Sequence, residues 1–228
     1  LNLLKGRQGP DRPPLSGAVH YWRALALYQT GKPEDALSEI RDFEKRFVGG
    51  DYAGRVERLR AWCHLKSGKT DLAIEAFSRF DQTAADSPEG PANLLEWGKA
   101  LAAAGRLEEA RQVLDRLSKK TPDSDVIREG AYWLAQVFLK ERKHDEAFGI
   151  LSSLSTNESA RENLRIDSLF AMAEIHEART NIAEAVLSIS NGLARARSPE
   201  QKLNGTYHLG RVYLDHGQLE DGVLLLKS

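Results

Sequence analysis

The sequence predicts an all-α fold, a stack of antiparallel helix hairpins, and three observations carry that prediction. Small residues at Ala36, Ala73, Ala110, Ala147, Ala185 and Gly222 are spaced by 37, 37, 37, 38 and 37, and a fixed interval of this size marks a stacked array. Each lies five residues after a turn position, which is Gly31, Gly68, Gly105 and Gly217, with Arg142 and Thr180 as looser copies. Seven residues before each turn the side chain is small (Ala24, Ala61, Gly98, Ala135, Ala173, Gly210), and nine after it is large and apolar (Ile40, Phe77, Leu114, Leu151, Ile189, Leu226). The small residue lets two helices approach, and the large one fills the space between them.

Taken in order, residues 1–16 are rich in Pro and Gly and read as irregular, or as the end of a preceding repeat, since Leu3 stands 37 before Ile40. Six repeats follow at about 17–50, 51–87, 88–122, 123–158, 159–197 and 198–228. Repeat one has helices near 17–30 and 33–47, the first ended by Gly31 and the second opened by Pro33 at a first-turn position. Repeat two turns at Gly68-Lys69 and restarts with Thr70 as N-cap, and the segment 81–91 is the loop to repeat three. Repeat four carries Arg142-Lys143-His144-Asp145 at its turn. Repeat five offers Asn181 for the left-handed region, and Asn181 with Glu184 makes a capping box. Ser198-Pro199-Glu200-Gln201 opens repeat six with a cap, Pro at the first helical position and Gln at the third. The last helix begins near Gln218 and is still apolar from Val223 to Leu226, so it either frays or buries against another surface, self-association through this uncapped end being one such outcome. Leu3 and Leu226 stand at the same phase of the repeat, as in a slice of a longer array.

Lys plus Arg number 32 against 33 Asp plus Glu, whereas general nucleic-acid or anionic-membrane binders show a basic excess. With 41% hydrophobic and 29% charged residues the chain suits a folded helical protein. No apolar run approaches the ~18 residues that cross a bilayer. Cys63 is alone, so no internal disulfide forms, and between Trp62 and His64 it reads as a packed thiol.

Catalytic signals are missing. Ser67-Gly68-Lys69-Thr70 imitates the end of a phosphate-binding loop, but Cys63 stands where its first Gly belongs and the stretch joins two helices instead of a strand and a helix. The histidines at 20, 64, 144, 176, 208 and 216 occupy different phases and lack metal-ligand spacing. No catalytic, cofactor or metal site is expected, and the chain reads as non-enzymatic.

Leu94-x2-Trp97-Gly98-x2-Leu101, Ala110-x3-Leu114 and Pro122 in repeat three, with Leu209-Gly210-x2-Tyr213 in repeat six, resemble the tetratricopeptide repeats. The interval is about three residues longer than that family's 34. That lengthening, and the stretch TPDSDVIREGAYWLAQVFLKERKHDEAF, resemble the long-helix bacterial branch of Tol-Pal and outer-membrane-assembly proteins, which implies a bacterial periplasm or envelope location. The resemblance implies a right-handed superhelical solenoid whose concave groove holds an extended or helical segment of a partner protein, or else a structural spacer in a longer envelope protein.

The groove positions that the family implies, thirteen, ten, six and three residues before each turn, supply the candidate contacts. These are Tyr21, Tyr28, Arg55, Arg58, Trp62 and Lys99, then Glu129, Tyr132, Gln136, Phe170, Glu174, Tyr207 and Arg211. The position ten before the turn is aromatic in Tyr21, Tyr132, Phe170 and Tyr207, which gives either a ladder of contact surfaces or packing between neighbouring repeats. Arg55, Arg58 and Lys99 make repeats two and three basic, while Glu129, Asp167, Glu174 and Glu177 make repeats four and five acidic. Such a groove orients a segment of mixed charge, unless the charges are simply solvated. Family members that grip an acidic C-terminal tail use a Lys/Asn clamp, and here Tyr, Arg, Trp and Leu stand in its place.

Overall fold

The computed structural model describes residues 16–47, 52–120 and 124–217. Every regular element among them is helical: α1 Gly17–Gln29, α2 Pro33–Arg46, α3 Ala53–Lys66, α4 Thr70–Ala84, α5 Gly90–Ala103, α6 Leu107–Ser118, α7 Asp125–Lys140, α8 His144–Thr156, α9 Glu162–Ala178, α10 Ile182–Arg195 and α11 Pro199–Asp215. The expectations for Leu3, Pro122, Gly222 and the final helix with its self-association fall outside the described residues. The chain divides into two compact units, Leu1–Val113 and Leu114–Ser228, the division falling within α6.

One turn chemistry recurs at the expected interval. Gly31, Gly68, Gly105 and Gly217 have φ of 78°, 70°, 75° and 84°, and Arg142 and Thr180 take φ of 59° at the same phase. The residue after each of the first five turn positions donates its N–H five residues back, as in Lys32 to Leu27, Lys69 to His64, Arg106 to Leu101, Lys143 to Phe138 and Asn181 to His176, at 2.8–2.9 Å. This is the 6→1 bond that closes a helix on a left-handed residue. The same residue's carbonyl then accepts from Ala36, Ala73, Ala110, Ala147 or Ala185, starting the next helix. The left-handed residue is therefore fixed by the register of the turn. In repeat five it falls on Thr180, not on Asn181, at the steric cost of a β-branched side chain there.

Three local expectations are corrected by the same geometry. Lys69, not Thr70, occupies the N-cap of α4, because the 6→1 bond ends at residue 69. Asn181 caps α10 without a side-chain bond, so its capping box with Glu184 does not form. The loop after repeat two is only 85–89, since α4 continues to Ala84 and α5 starts at Gly90. Ser198 does cap α11, accepting from the Gln201 N–H at 3.1 Å, and Pro199 opens that helix.

Packing follows the small and large phases. Ala61, Ala135 and each Ala of the second phase from 36 to 185 are fully buried, and so are Phe77, Leu151 and Ile189. In the first unit Ala24, Leu37, Ile40, Phe43, Val56 and Leu59 form one core across α1 to α3. In the second, Ala135, Ala147, Leu151 and Ile175 form one cluster, and Ile166, Phe170, Ile189 and Leu209 another. Residues about one repeat apart are bridged on the surface, as in Lys69 with Glu34 at 2.8 Å and Arg195 with Glu162 at 2.7 Å. Exposed pairs of this kind add ~0–1 kcal/mol each, so the buried apolar faces carry the stack.

Candidate functional site

The candidate residues of the first unit form one strip along α1, α3 and α5. Tyr28 stacks on Trp62 with ring centroids 6.1 Å apart, and Tyr21 lies 5.4 Å from Tyr52. The Arg58 guanidinium stands over Trp62 at 4.6 Å, and the Lys66 ammonium lies 4.9 Å from the Tyr28 ring. Two of the three expected cations are answered internally, Arg55 by Glu89 at 2.9 Å and Lys99 by Glu96 at 3.1 Å. Arg58 is different. It is half-buried, forms no ion pair, and its Nε is buried without a hydrogen-bond partner. Burial lowers its pKa, against the raising influence of Glu89 and Glu96. A planar cation stacked on an indole and short of acceptors is suited to a carboxylate or carbonyl from outside. Burial also raises the Tyr21 phenol, while Arg55 and Arg58 pull it down.

In the second unit the candidates lie on α7, α9 and α11. Glu129 pairs with Arg161 at 3.3 Å, and Arg211 with Glu177 at 2.9 Å and Asp215 at 3.5 Å. The expected acidic excess therefore reduces to Asp167 and Glu174, which have no ion-pair partner. Burial raises both carboxyls, with Glu200 adding to the rise at Asp167 and Arg211 opposing it at Glu174. Burial, then Asp167 and Glu174, push the Tyr132 phenol far up. Glu174 still keeps much of its surface open to water, as a group on the floor of a trough does. Gln136 is half-buried beside this strip, and Tyr207 is 55% exposed.

Phe170 departs from its expected place. It is 4% exposed and fills a slot between α10 and α11, where a Cβ added to Gly192 would lie 2.5 Å from its ring and one added to Gly205 2.7 Å. Those two glycines draw the ring inward, so it packs between repeats and presents no contact surface.

Tyr52, Glu89 and Glu96 in the first unit, and Asn163, Glu200 and Leu203 in the second, belong to these faces but lie off the four positions taken from the repeat pattern. Tyr52 and Glu89 are the N-cap residues of α3 and α5, so the repeat starts were the signal that could have found them.

Other polar groups point to no chemistry. Cys63 is fully buried, and burial pushes its thiol up to about 12, which keeps it protonated and inert. His20, 3% exposed, lies 2.5 Å from Glu39, which also pairs with Arg23 at 3.1 Å. This polar pair ties α1 to α2. Among the described residues no three His, Cys, Asp or Glu side chains converge as a metal site, and no helix is long and apolar enough to cross a membrane.

Two tetratricopeptide repeat family models match the sequence, over residues 64–133 and 21–91. No curated protein sequence matches. Among solved structures, PilW, a widely conserved type IV pilus biogenesis factor, has a TM-score of 0.70 at 13% identity, covering 92% of this chain and 90% of its own. PilF of Pseudomonas aeruginosa gives 0.65 at 18% identity over 92% and 90%. MamA of Desulfovibrio magneticus RS-1 gives 0.61 at 16% identity over 79% and 94%. These likenesses are of fold, and repeats of this fold serve in general as scaffolds for protein–protein interaction. Tetratricopeptide repeat models thus match residues 21–133, and with the left-handed turn recurring at the repeat interval as far as Gly217 the chain has the tetratricopeptide repeat fold.

Proposed function

We propose that this protein is a non-enzymatic interaction module that holds a segment of a partner protein against the faces of its first helices. The observation that carries this reading is the unpaired polarity left on those faces. Arg58 in one unit, and Asp167 and Glu174 in the other, have no internal ion-pair partner, while the neighbouring charges Arg55, Lys99, Glu129 and Arg211 all do. Arg58 and Asp167 are half-buried, and a half-buried charge without a partner costs stability. Such groups fit a surface completed by something else, and the exposed Tyr207 and the Tyr28–Trp62 stack add aromatic contact area of the kind that anchors partners.

Selection of a random phage-displayed peptide library on the immobilised protein is expected to enrich sequences whose retention falls several-fold on Arg58→Gln or Tyr207→Ala. Tyr207→Ala is a surface change and should move the thermal midpoint by only ~2 °C or less, and Arg58→Gln, which removes a half-buried charge without an ion-pair partner, should lower it no further. Enriched sequences retained equally by both variants would remove the reading.

An envelope location accords with the long-helix resemblance and with the likeness to PilW, a type IV pilus biogenesis factor. Blotting of periplasmic, membrane and cytoplasmic fractions of the native host tests it, and recovery in the cytoplasmic fraction alone rules it out.

A further inference from the structure

Two hollows in the second unit adjoin and share Asn163 and Asp167. The larger, about 730 Å³, lies between α9 and α11 and includes Glu200, Leu203, Asn204 and Tyr207. The smaller, about 260 Å³, lies between α7 and α9 and is walled by Tyr132, Trp133 and Leu164. Together they make a trough across three consecutive first helices. Its composition is one-sided. The larger hollow has two carboxylates, Asp167 and Glu200, and no basic side chain in its lining. The smaller has one cation, Arg161, already held by Glu129 at 3.3 Å and Asp125 at 3.6 Å. The wall is also apolar in part, since Leu203 is 73% exposed and Tyr207 55%, two of the few large hydrophobic residues left open among the described residues.

Resting on the reading above, we infer that this trough docks a basic, partly apolar peptide segment, with an Arg or Lys side chain at Asp167 and an apolar neighbour on Leu203 and Tyr207. Charge complementarity selects the class. Asp167 faces both hollows, one walled by Tyr132 and the other by Tyr207, and a cation placed there meets a carboxylate and aromatic faces together. Glu174 lies seven residues further along α9, about 10 Å at helical rise. A peptide in the polyproline II conformation, with three residues per turn and about 3.1 Å rise per residue, covers that distance in three residues and returns to the same face, so a second basic residue three places from the first reaches it. An acidic segment meets the opposite: its carboxylates would add to a site whose own carboxyls are already raised by burial.

Fluorescence anisotropy with three labelled nonapeptides tests this. One carries two Arg three places apart with Leu and Phe beside them, the second has Glu for each Arg, and the third Gln. The basic peptide is expected to bind roughly tenfold or more tighter than the acidic one, with the preference falling as salt rises. In Asp167→Asn/Glu174→Gln the preference should be lost. That variant should melt no lower than the parent, because it removes two charges that burial already penalises. Tyr207→Ala should weaken the basic peptide by several-fold. Equal binding of all three peptides, or a basic preference that survives in the double variant, overturns the inference. Light scattering accompanies the titration, and a self-associated form that excludes the basic peptide from the trough overturns it in favour of a second copy as occupant. Acidic peptides held through Arg58 would leave the wider interaction reading standing while this one falls.

Discussion

Phe170→Ala is expected to destabilise the second unit by about 3–5 kcal/mol, the usual cost of emptying a large aromatic from a packed interior. The ring is 4% exposed and closes the cluster of Ile166, Ile189 and Leu209. The reason it cannot be a groove residue supplies the sharper test. All three atoms nearest to a Cβ built on Gly192 belong to Phe170, at 2.5, 3.0 and 3.2 Å. Gly192→Ala in the parent therefore forces a buried ring to shift, an overpacking cost of about 1–3 kcal/mol that outweighs the ~1 kcal/mol helix-propensity gain of Ala over Gly. In the Phe170→Ala background the obstacle is gone. There the same substitution should stabilise, by that propensity gain plus partial filling of the cavity. Urea denaturation of the four proteins in this cycle reads the change of sign directly. Were Phe170→Ala to cost under about 0.5 kcal/mol, as a surface substitution does, the ring would belong to a solvent-facing ladder after all.

The contrast between Phe170 and Tyr207 shows where sequence reasoning stops. Both stand ten residues before a turn, and the repeat count treats them alike. The count was sound for backbone: it put Arg142 and Thr180 at the turn phase although neither residue favours positive φ, and both adopt it at 59°. Turn register is a property of the hydrogen-bond pattern, which the spacing of small residues encodes. Side-chain placement at the tenth position depends instead on what faces it from the next helices. Gly192 and Gly205 open a slot for Phe170, and their significance becomes visible only when α10 and α11 are brought together.

Charge behaves similarly. The signs of the two faces were legible, but not which charges stay unpaired. Lys99 and Glu96 are neighbours on one helix face at three residues' spacing, a pairing that sequence can suggest. Arg211 reaches Glu177 from 34 residues away, which requires the stacking of repeats. The residues that survive this cancellation, Arg58, Asp167 and Glu174, are a small subset of the expected charges, and the functional reading rests on that subset.

Ala24→Leu is expected to destabilise the first unit by about 2–3 kcal/mol, near the upper end of the overpacking range, because it adds three heavy atoms where two helices approach most closely. Ala24 is 1% exposed on α1 and belongs to the same cluster as Ala36, Leu37 and Ile40 of α2. Ile40, the large member of the repeat pair, is itself 1% exposed in that cluster, so the added side chain has to separate the helices or leave its rotamer. Ser38→Leu is the matched control: it adds apolar volume on the same hairpin at an exposed position of α2, where substitutions stay within about 0.5 kcal/mol. Hydrophobicity rises in both variants, and only one places the new atoms between helices. The difference between their denaturation midpoints therefore measures the close approach itself. Equal midpoints would mean that the helices of this hairpin tolerate a wider separation, and that the small residue seven before each turn is not what holds the pair together.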